Sequence, residues 1–158
     1  MKLSEAAASA AETLLGRLHE AVWGVGLLGA RTSISANPDL FAAVTGLYDA
    51  VRAERDALLT ALAAAGQDPV AASPSYPRWR SVKPTVAGIS AAAATLERDL
   101  TSAHAWVVYN ALGSVRVWSL DGMTRNAVRG LTFQGVPEKF PGASELADRV
   151  RTAATPTP

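Results

Sequence analysis

Three acidic residues occupy positions from which a carboxylate could bind a metal ion inside a helical bundle. Glu54, Glu97 and Asp121 each lie within a run of apolar residues at helical spacing, so each is predicted near the buried face of its helix. Carboxylate-bridged di-metal centres use inward-facing acids of this kind, together with a Glu-x-x-His pair on each of two helices. The chemistry that these acids suggest first is therefore that of a di-iron or di-manganese oxidase or oxygenase.

The histidines that would complete such a centre are missing. The residue three positions after Glu54 is Ala57, and the residue three positions after Asp121 is Thr124. Neither of the two histidines in the chain follows an acid at that spacing. No metal ligand and no cofactor are therefore expected. A divergent centre would have to use four residues, Glu54, Glu97, His104 and Asp121.

A buried acid that binds no metal has to pair with a cation or be protonated. Arg55 and Arg125 lie close in sequence to two of the acids, and His104 lies on the same side of its helix as Glu97. A histidine at such a position is more often a hydrogen-bonded partner than a ligand or a proton shuttle, and His19 is interpreted in the same way. The predicted buried polar network consists of Glu54, Arg55, Glu97, His104, Asp121 and Arg125.

Other familiar catalytic patterns are absent from the sequence. There is no cysteine, which excludes disulfides, thiol catalysis and cysteine-ligated zinc. No Gly-x-Ser-x-Gly segment is present that could expose a nucleophilic serine. Residues 24–29 spell Gly-x-Gly-x-x-Gly, but they lie in a helical segment with no strand before it, so they do not indicate a dinucleotide site. No catalytic residue is predicted, and a binding protein is favoured over an enzyme.

The composition indicates a single, close-packed helical domain. The chain has 158 residues, of which 49% are hydrophobic, and alanine dominates that set. A formal net charge of +1 gives no general attraction to nucleic acid or to an anionic membrane, so neither partner is expected. The densest apolar run, 21–30, has about half the ~20 residues that a membrane-spanning helix needs. The N-terminus does not resemble a signal peptide, and a cytoplasmic location is expected.

Apolar periodicity predicts an all-α fold in one domain over residues 1–151, a ferritin-like four-helix bundle with a long crossover and a short C-terminal helix. Asn37 and Pro38 fit the N-cap and the first turn of the second helix, and Gly66 fits its C-terminal end. Residues 131–142 are expected to be coil, and residues 152–158 to fray. The helices are expected at about 4–31, 38–65, 85–111, 114–130 and 144–151.

Residues 67–84 form a proline-rich crossover between the second and third helices, with four of the nine prolines of the chain. Proline keeps itself and the residue before it out of helical geometry, so this segment is predicted to be mostly extended. An extended segment of this length reaches roughly 60 Å, whereas the second helix is only about 40 Å long. The crossover can therefore run the length of the bundle, which would make helices two and three parallel. A surface Ω-loop or an interdomain linker is the alternative.

The crossover also carries a candidate docking surface of aromatic and basic residues: Tyr76, Arg78, Trp79, Arg80 and Lys83. Basic residues beside aromatic ones can bind phosphate or stack on bases. The favoured interpretation is that Tyr76 and Trp79 hold the crossover on the bundle while the cations face water.

Six short segments carry a family resemblance: His-Glu-Ala-Val-Trp-Gly-Val-Gly-Leu-Leu-Gly-Ala at 19–30, Tyr-Asp-Ala at 48–50, Arg-Asp-Ala-Leu at 55–58, Ala-Ala-Gly-Gln-Asp-Pro-Val-Ala-Ala at 64–72, Leu-Glu at 96–97 and Phe-Pro-Gly at 140–142. In their order and spacing, over most of the chain, they resemble an actinobacterial ferritin-like family of unknown function, DUF4439. The resemblance implies a ferritin-like bundle and no particular activity.

Two positions depart from the pattern of that family. Its members often carry a Glu-His pair in the first helix and a histidine in the second helix. This sequence has Leu18 at the position of that glutamate and Val51 at the position of the second-helix histidine, while His19 and Glu97 are retained. The resemblance therefore implies that hydrocarbon has replaced polar residues at two bundle-core positions, which argues against an inherited metal centre in this chain.

Three functions are consistent with these observations. The first and favoured one is a metal-free helical bundle that binds a second copy of itself or another protein; Trp106, Tyr109 and Trp118 suit either the bundle core or such an interface. The second is a divergent di-iron or di-manganese oxidase or oxygenase. The third is a structural component of a larger assembly, with the crossover and residues 133–141 as docking surfaces.

Overall fold

Four long helices and one short 3₁₀ helix make up the structure, a computed structural model that describes residues 3–134. They are α1 (Glu5–Ala30), α2 (Pro38–Ala64), the 3₁₀ helix (Pro77–Ser81), α3 (Val86–Asn110) and α4 (Gly113–Gln134). The described range contains no strand, so the predicted all-α four-helix bundle is confirmed. Within this range no helix combines the length with the sustained apolar character that spanning a bilayer requires. The predicted helix at 144–151 and the tail at 152–158 lie outside the described residues.

Three helix ends follow from capping residues that the sequence provides. The hydroxyl of Ser4 accepts a hydrogen bond at 3.2 Å from a first-turn N–H of α1, and the hydroxyl of Thr85 accepts one at 3.1 Å in α3. These bonds satisfy N–H groups that have no partner within the helix. Gly66 ends α2 with φ of 75°, a conformation that glycine adopts without strain. Asn37 lies at the predicted N-cap, but its side chain makes no capping hydrogen bond.

The last helix extends farther than predicted. An end near Gly130 was expected, with coil from residue 131, but α4 continues to Gln134. A single glycine weakens a helix by about 1 kcal/mol relative to alanine without ending it, and the next four residues, Leu-Thr-Phe-Gln, include no proline or further glycine. The predicted coil at 131–142 is therefore wrong for its first four residues, and the rest lies outside the described range.

The crossover runs along α1 from one end of the bundle to the other. Near its start, the N–H of Val70 donates to Glu12 at 2.8 Å, and the carbonyl of Val70 accepts a hydrogen bond from His19 at 3.0 Å. Near its end, the carbonyl of Val82 accepts a hydrogen bond at 2.7 Å from Arg31, just after α1. Helix α3 therefore starts at the end of the bundle where α2 starts, and the two helices are parallel, as the length of the crossover predicted.

Helix α1 lies at the centre of the hydrophobic core. It packs against α2 and α3, while α4 packs most closely against α3. Leu18 of α1 and Val51 of α2 are both completely buried, and burying a side chain of this size contributes about 1.5–3 kcal/mol. The order of helix directions, with one long crossover and parallel middle helices, is the topology that ferritin-like folds also have.

Helix α4 turns a different face to the core from the one that its apolar pattern predicted. Val117, Leu120 and Val128 are 65%, 49% and 61% exposed. The buried face carries small and polar residues instead: Ser119, Gly122, Asn126 and Gly130. Small side chains let the α4 backbone approach α3 closely, so close packing rather than hydrophobicity decides which face is buried.

Candidate functional site

A hydrogen bond between Glu54 of α2 and His104 of α3 crosses the middle of the bundle. Nε2 of His104 lies 3.0 Å from Oε1 of Glu54, and His104 is completely buried. The parallel arrangement of α2 and α3 brings the two residues to the same height. An ionised carboxylate only accepts hydrogen bonds, so beside an ionised Glu54 the Nε2 of His104 is the donor.

Glu97 lies two turns before His104 on α3 and is bound by Arg129 of α4. Both of its carboxylate oxygens accept hydrogen bonds from the guanidinium group, with Nη2 at 3.1 Å from Oε2. The Glu97 side chain is only 1% exposed, and that of Arg129 is 21% exposed. Arg129 also donates a hydrogen bond to Oδ1 of Asn126. Because two-point binding of a carboxylate fixes geometry as well as charge, this pair ties α3 to α4.

Two glycines of α4 make room for these side chains. A Cβ on Gly122 would lie 2.3 Å from Cε1 of His104, and a Cβ on Gly130 would lie 3.3 Å from Cβ of Glu97. The imidazole therefore lies against the backbone of α4. Its ring also packs against that of Trp118, with the centroids 5.4 Å apart. These contacts show that α3 and α4 are antiparallel, because the later residue of α3 meets the earlier glycine of α4.

Glu97 is held in an environment that favours its protonated form. Burial raises the pKa of Glu97 from 4.5 to about 7, although the hydrogen bonds and the charge of Arg129 oppose this rise. The negative charge of Glu54 adds to it. Near neutral pH the carboxyl therefore exchanges a proton, while the guanidinium of Arg129 keeps its charge throughout. The cluster has a protonation state that changes close to physiological pH.

Three residues of the predicted polar network lie outside this buried cluster. Arg125 is 52% exposed and reaches Glu54 only loosely, with Nη2 3.8 Å from Oε1. Asp121 is 74% exposed and pairs with Arg125 on the surface of α4 at 3.5 Å. Arg55 bonds to its neighbour Asp56 at 2.6 Å. The predicted inward placement of Asp121 is wrong, because the small residues of α4 occupy the inner face and leave Asp121 on the outer one.

Polar residues on the inner face of α4 were missed by the sequence reasoning. Arg129 and Asn126 join the cluster, and Ser119 is completely buried. Within residues 3–134, Nδ1 of His104, Oγ of Ser119 and Nδ2 of Asn126 are buried without a hydrogen-bond partner. A signal for this face was present, because small residues recur at 119, 122, 126 and 130 with helical spacing.

The cluster does not fit a di-metal centre. Such a centre uses about four carboxylates and two histidines, whereas the cluster offers Glu54, Glu97 and His104. Arg129 binds both oxygens of Glu97, and its positive charge would repel a metal ion. Across the described range, no group of three His, Asp or Glu side chains is placed to hold an ion.

Trp79 anchors the crossover on α1. Its indole ring packs directly on the backbone of Gly24, where a Cβ would lie 2.2 Å from Cε2 of the ring. The indole N–H donates to Oε1 of Glu20 at 3.2 Å, and Trp79 is only 3% exposed. The sequence signal for this contact is a glycine in the middle of a long helix, which lowers helix propensity and so needs a compensating contact.

Two arginines connect the same segment to the long helices: Arg78 lies within the segment, and Arg31 lies just after α1. Arg78 pairs with Glu20 of α1 at 2.5 Å and with Asp99 of α3 at 2.7 Å. Arg31 donates hydrogen bonds to three backbone carbonyls of the crossover, the shortest at 2.7 Å. The geometry therefore supports the interpretation that Trp79 holds the crossover in place, whereas the expectation that the cations face water does not hold for Arg78, which pairs with two acids. The other two cations of the candidate docking surface, Arg80 and Lys83, are exposed to solvent.

The outward side of α3 and α4 carries a group of exposed apolar side chains. The rings of Trp106 and Tyr109 stack with centroids 5.7 Å apart and planes at 14°, although they are 50% and 79% exposed. Trp118 is not part of this group, because it is half-buried against His104. The group is called the α3–α4 surface below and comprises Trp106, Tyr109, Leu112, Val117, Leu120 and Val128.

Comparison with known proteins identifies one family and one similar fold. Residues 6–145 match the family model described as a domain of unknown function, DUF4439. The crystal structure of a conserved hypothetical protein from Mycobacterium tuberculosis is similar, with a TM-score of 0.75 and 23% sequence identity over 83% of this chain and 97% of that chain. At this identity the likeness concerns the fold alone. No curated protein matches the sequence significantly.

Proposed function

The chain belongs to the family of the domain of unknown function DUF4439, and we propose that it acts as a metal-free helical bundle that binds a second copy of itself. The observation that carries the proposal is the α3–α4 surface. Of the nine large hydrophobic side chains that are exposed within residues 3–134, six lie on this surface. Large exposed apolar patches mark interaction sites, and aromatic residues are enriched in protein interfaces.

The antiparallel packing of α3 and α4 gathers most of these side chains at one end of the bundle. Because His104 lies against Gly122, Trp106 is level with Leu120, and Tyr109 lies one turn farther towards the link between the helices. The two aromatic rings of α3 and the exposed side chains of Val117 and Leu120 on α4 therefore lie at similar heights, whereas Val128 lies about two turns farther along α4. A surface of this kind suits a partner with an apolar face of its own.

The interior supports a protein that works by binding rather than by metal chemistry. Arg129 neutralises Glu97, and Arg125 approaches Glu54, so cations of the chain itself balance the buried acids. A buried ion pair of this kind contributes little net stability, and its best-attested use is to fix how helices pair. The cluster thus fixes the position of α4 on α3, and with it the shape of the outward surface.

Sedimentation of two matched variants tests the proposal. Val117 and Ile34 are both 65% exposed, but only Val117 belongs to the α3–α4 surface. Val117→Ser is expected to raise the dissociation constant of the dimer about tenfold, which corresponds to ~1.4 kcal/mol of lost apolar contact. Ile34→Ser is expected to leave it unchanged. A wild-type chain that sediments as a monomer, or an equal effect of both variants, would contradict the proposal.

A further inference from the structure

The outward stripe of α4 has a pattern that is symmetric about Thr124. Val117 and Leu131 each lie seven residues from Thr124, and Leu120 and Val128 each lie four residues from it. Four of the five residues are exposed, and Leu131 is partly buried. The stripe therefore presents the same sequence of apolar, apolar, threonine, apolar and apolar side chains when it is followed in either direction along the helix.

We infer that α4 packs antiparallel against α4 of a second copy, with a two-fold axis at Thr124. The inference rests on the proposed self-binding and identifies its interface. In a two-fold dimer the same patch is used by both copies, so that residue i meets residue j and residue j meets residue i. With the axis at Thr124, Val117 meets Leu131 of the second copy and Leu120 meets Val128. Each of these apolar contacts occurs twice.

The charges beside the stripe fit the same axis. Asp121 and Arg125 lie on one flank of it, three residues before and one residue after Thr124. Within a single chain they pair weakly at 3.5 Å, with side chains 74% and 52% exposed. In an antiparallel pair with this axis, the same flanks of the two helices lie side by side, so Asp121 of each copy comes next to Arg125 of the other. The pairing therefore adds two ion pairs between the copies.

The surface next to Val128 has room for the second helix. A shallow groove of about 520 Å³ runs along α4 and is lined by Asp121, Thr124, Arg125, Val128, Arg129 and Thr132. Leu120 of the second copy, which the axis places opposite Val128, would enter this groove. The partner is thus a second copy of this chain, because the apolar pattern, the charges and the groove all match the helix that bears them.

A single introduced cysteine tests the axis directly. The chain has no cysteine, so Thr124→Cys supplies its only thiol, at an exposed position where the fold tolerates it. On the two-fold axis the two sulfurs come together, and mild oxidation is expected to convert most of the protein into a covalent dimer. Thr60→Cys, an exposed threonine of α2, is the matched control and is expected to remain uncrosslinked. Circular dichroism checks that both variants are folded.

Spin-label distances give a second measurement that does not depend on disulfide geometry. Nitroxides on Val117→Cys and, separately, on Leu131→Cys are expected to give equal distances between the two copies. Along the helix axes, either pair is separated by about 21 Å, because seven residues at ~1.5 Å per residue lie on each side of the axis. A label at Thr124→Cys is expected to give the shortest distance of the three.

The outcomes separate this inference from the proposed function. The α4 axis is overturned, while self-binding stands, if the Thr124→Cys dimer does not crosslink and the spin-label distance between the two copies differs between positions 117 and 131. A chain that is monomeric at every concentration overturns both. A monomeric Thr124→Cys variant whose introduced thiol is shielded from a thiol reagent also overturns both and indicates that residues 135–158 of the same chain cover α4.

Discussion

The ring of His104 occupies the space that a side chain on Gly122 would need, because a Cβ built on that glycine would lie 2.3 Å from Cε1 of the ring. The same ring is held from the other side by Glu54, whose Oε1 lies 3.0 Å from Nε2. Displacing the ring from α4 would therefore disturb this hydrogen bond. The buried polar cluster and the close packing of α3 on α4 therefore depend on each other.

Gly122→Ala is expected to destabilise the fold although alanine favours helix formation. Overpacking against His104 should lower the free energy of unfolding by about 1–3 kcal/mol. The higher helix propensity of alanine should raise it by at most about 1 kcal/mol. Urea unfolding followed by circular dichroism measures the net effect. Gly16→Ala is the matched control, because nothing lies within 4 Å of a Cβ at that position of α1, and it should be stabilising. Similar effects of the two substitutions would refute the close contact.

Gly24→Ala is expected to lift the crossover off α1. The added methyl group would collide with the ring of Trp79, at 2.2 Å from Cε2, and so displace the 3₁₀ helix while the four long helices remain. Limited trypsin digestion should then cut faster after Arg78 or Arg80. Gly16→Ala again serves as the control and should be cut at the rate of the wild type. Unchanged cleavage in Gly24→Ala would argue against Trp79 as the anchor.

The raised pKa of Glu97 predicts a stability contribution that decreases as the pH rises. Below pH 4.5 both the folded and the unfolded chain hold the proton, and above about pH 7 neither does. Between these values only the folded chain holds it, so the folded state loses stability as pH increases through this window. The shift from 4.5 to about 7 corresponds to a loss on the order of 3 kcal/mol.

Glu97→Gln measures this contribution, because glutamine resembles the protonated carboxyl and does not titrate. The free energy of unfolding is determined at pH 5 and pH 8 for the wild type, for Glu97→Gln and for the exposed-acid control Asp49→Asn. The difference between the two pH values should shrink in Glu97→Gln and stay as in the wild type in the control. An equal difference in all three proteins would be inconsistent with a buried, titrating Glu97.

Arg129→Met is expected to destabilise the protein more at high pH than at low pH. Removing the guanidinium leaves an ionised carboxylate buried without its cation, which costs about 3–5 kcal/mol. At pH 5 the carboxyl of Glu97 is protonated in the folded chain, so the loss should be smaller. Denaturant unfolding at pH 5 and pH 8 makes the comparison. The double variant with Glu97→Leu should recover much of the stability at pH 8, and a purely additive double variant would contradict a coupled pair.

Much of the fold followed from local patterns because each pattern has a single physical cause. The spacing of apolar residues in α1, α2 and α3 matches the faces that are buried, and Gly66 ends α2 because it can adopt positive φ. The parallel arrangement of α2 and α3 followed from the reach of the proline-rich crossover. The apolar spacing, the glycine at a helix end and the prolines of the crossover each depend only on residues close together in the sequence, so each can be recognised without the structure.

The inner face of α4 could not be derived from hydrophobicity. Val117 and Val128 suggested the buried side, yet they are 65% and 61% exposed, because the space beside α3 is already filled by His104 and Glu97. Only small residues fit there, and that requirement depends on side chains of another helix. The position of Asp121 was misjudged for the same reason. The role of Arg129 depends equally on tertiary packing, since its partner Glu97 lies 32 residues away.

The proposed function requires that this chain binds a second copy of itself through the outward side of α3 and α4. The most direct test is the mass of the wild-type protein in solution, measured by light scattering over a range of concentrations. If the chain binds itself, the mass rises with concentration towards twice the 16.4 kDa of the single chain. A mass that remains at 16.4 kDa at every concentration would contradict it.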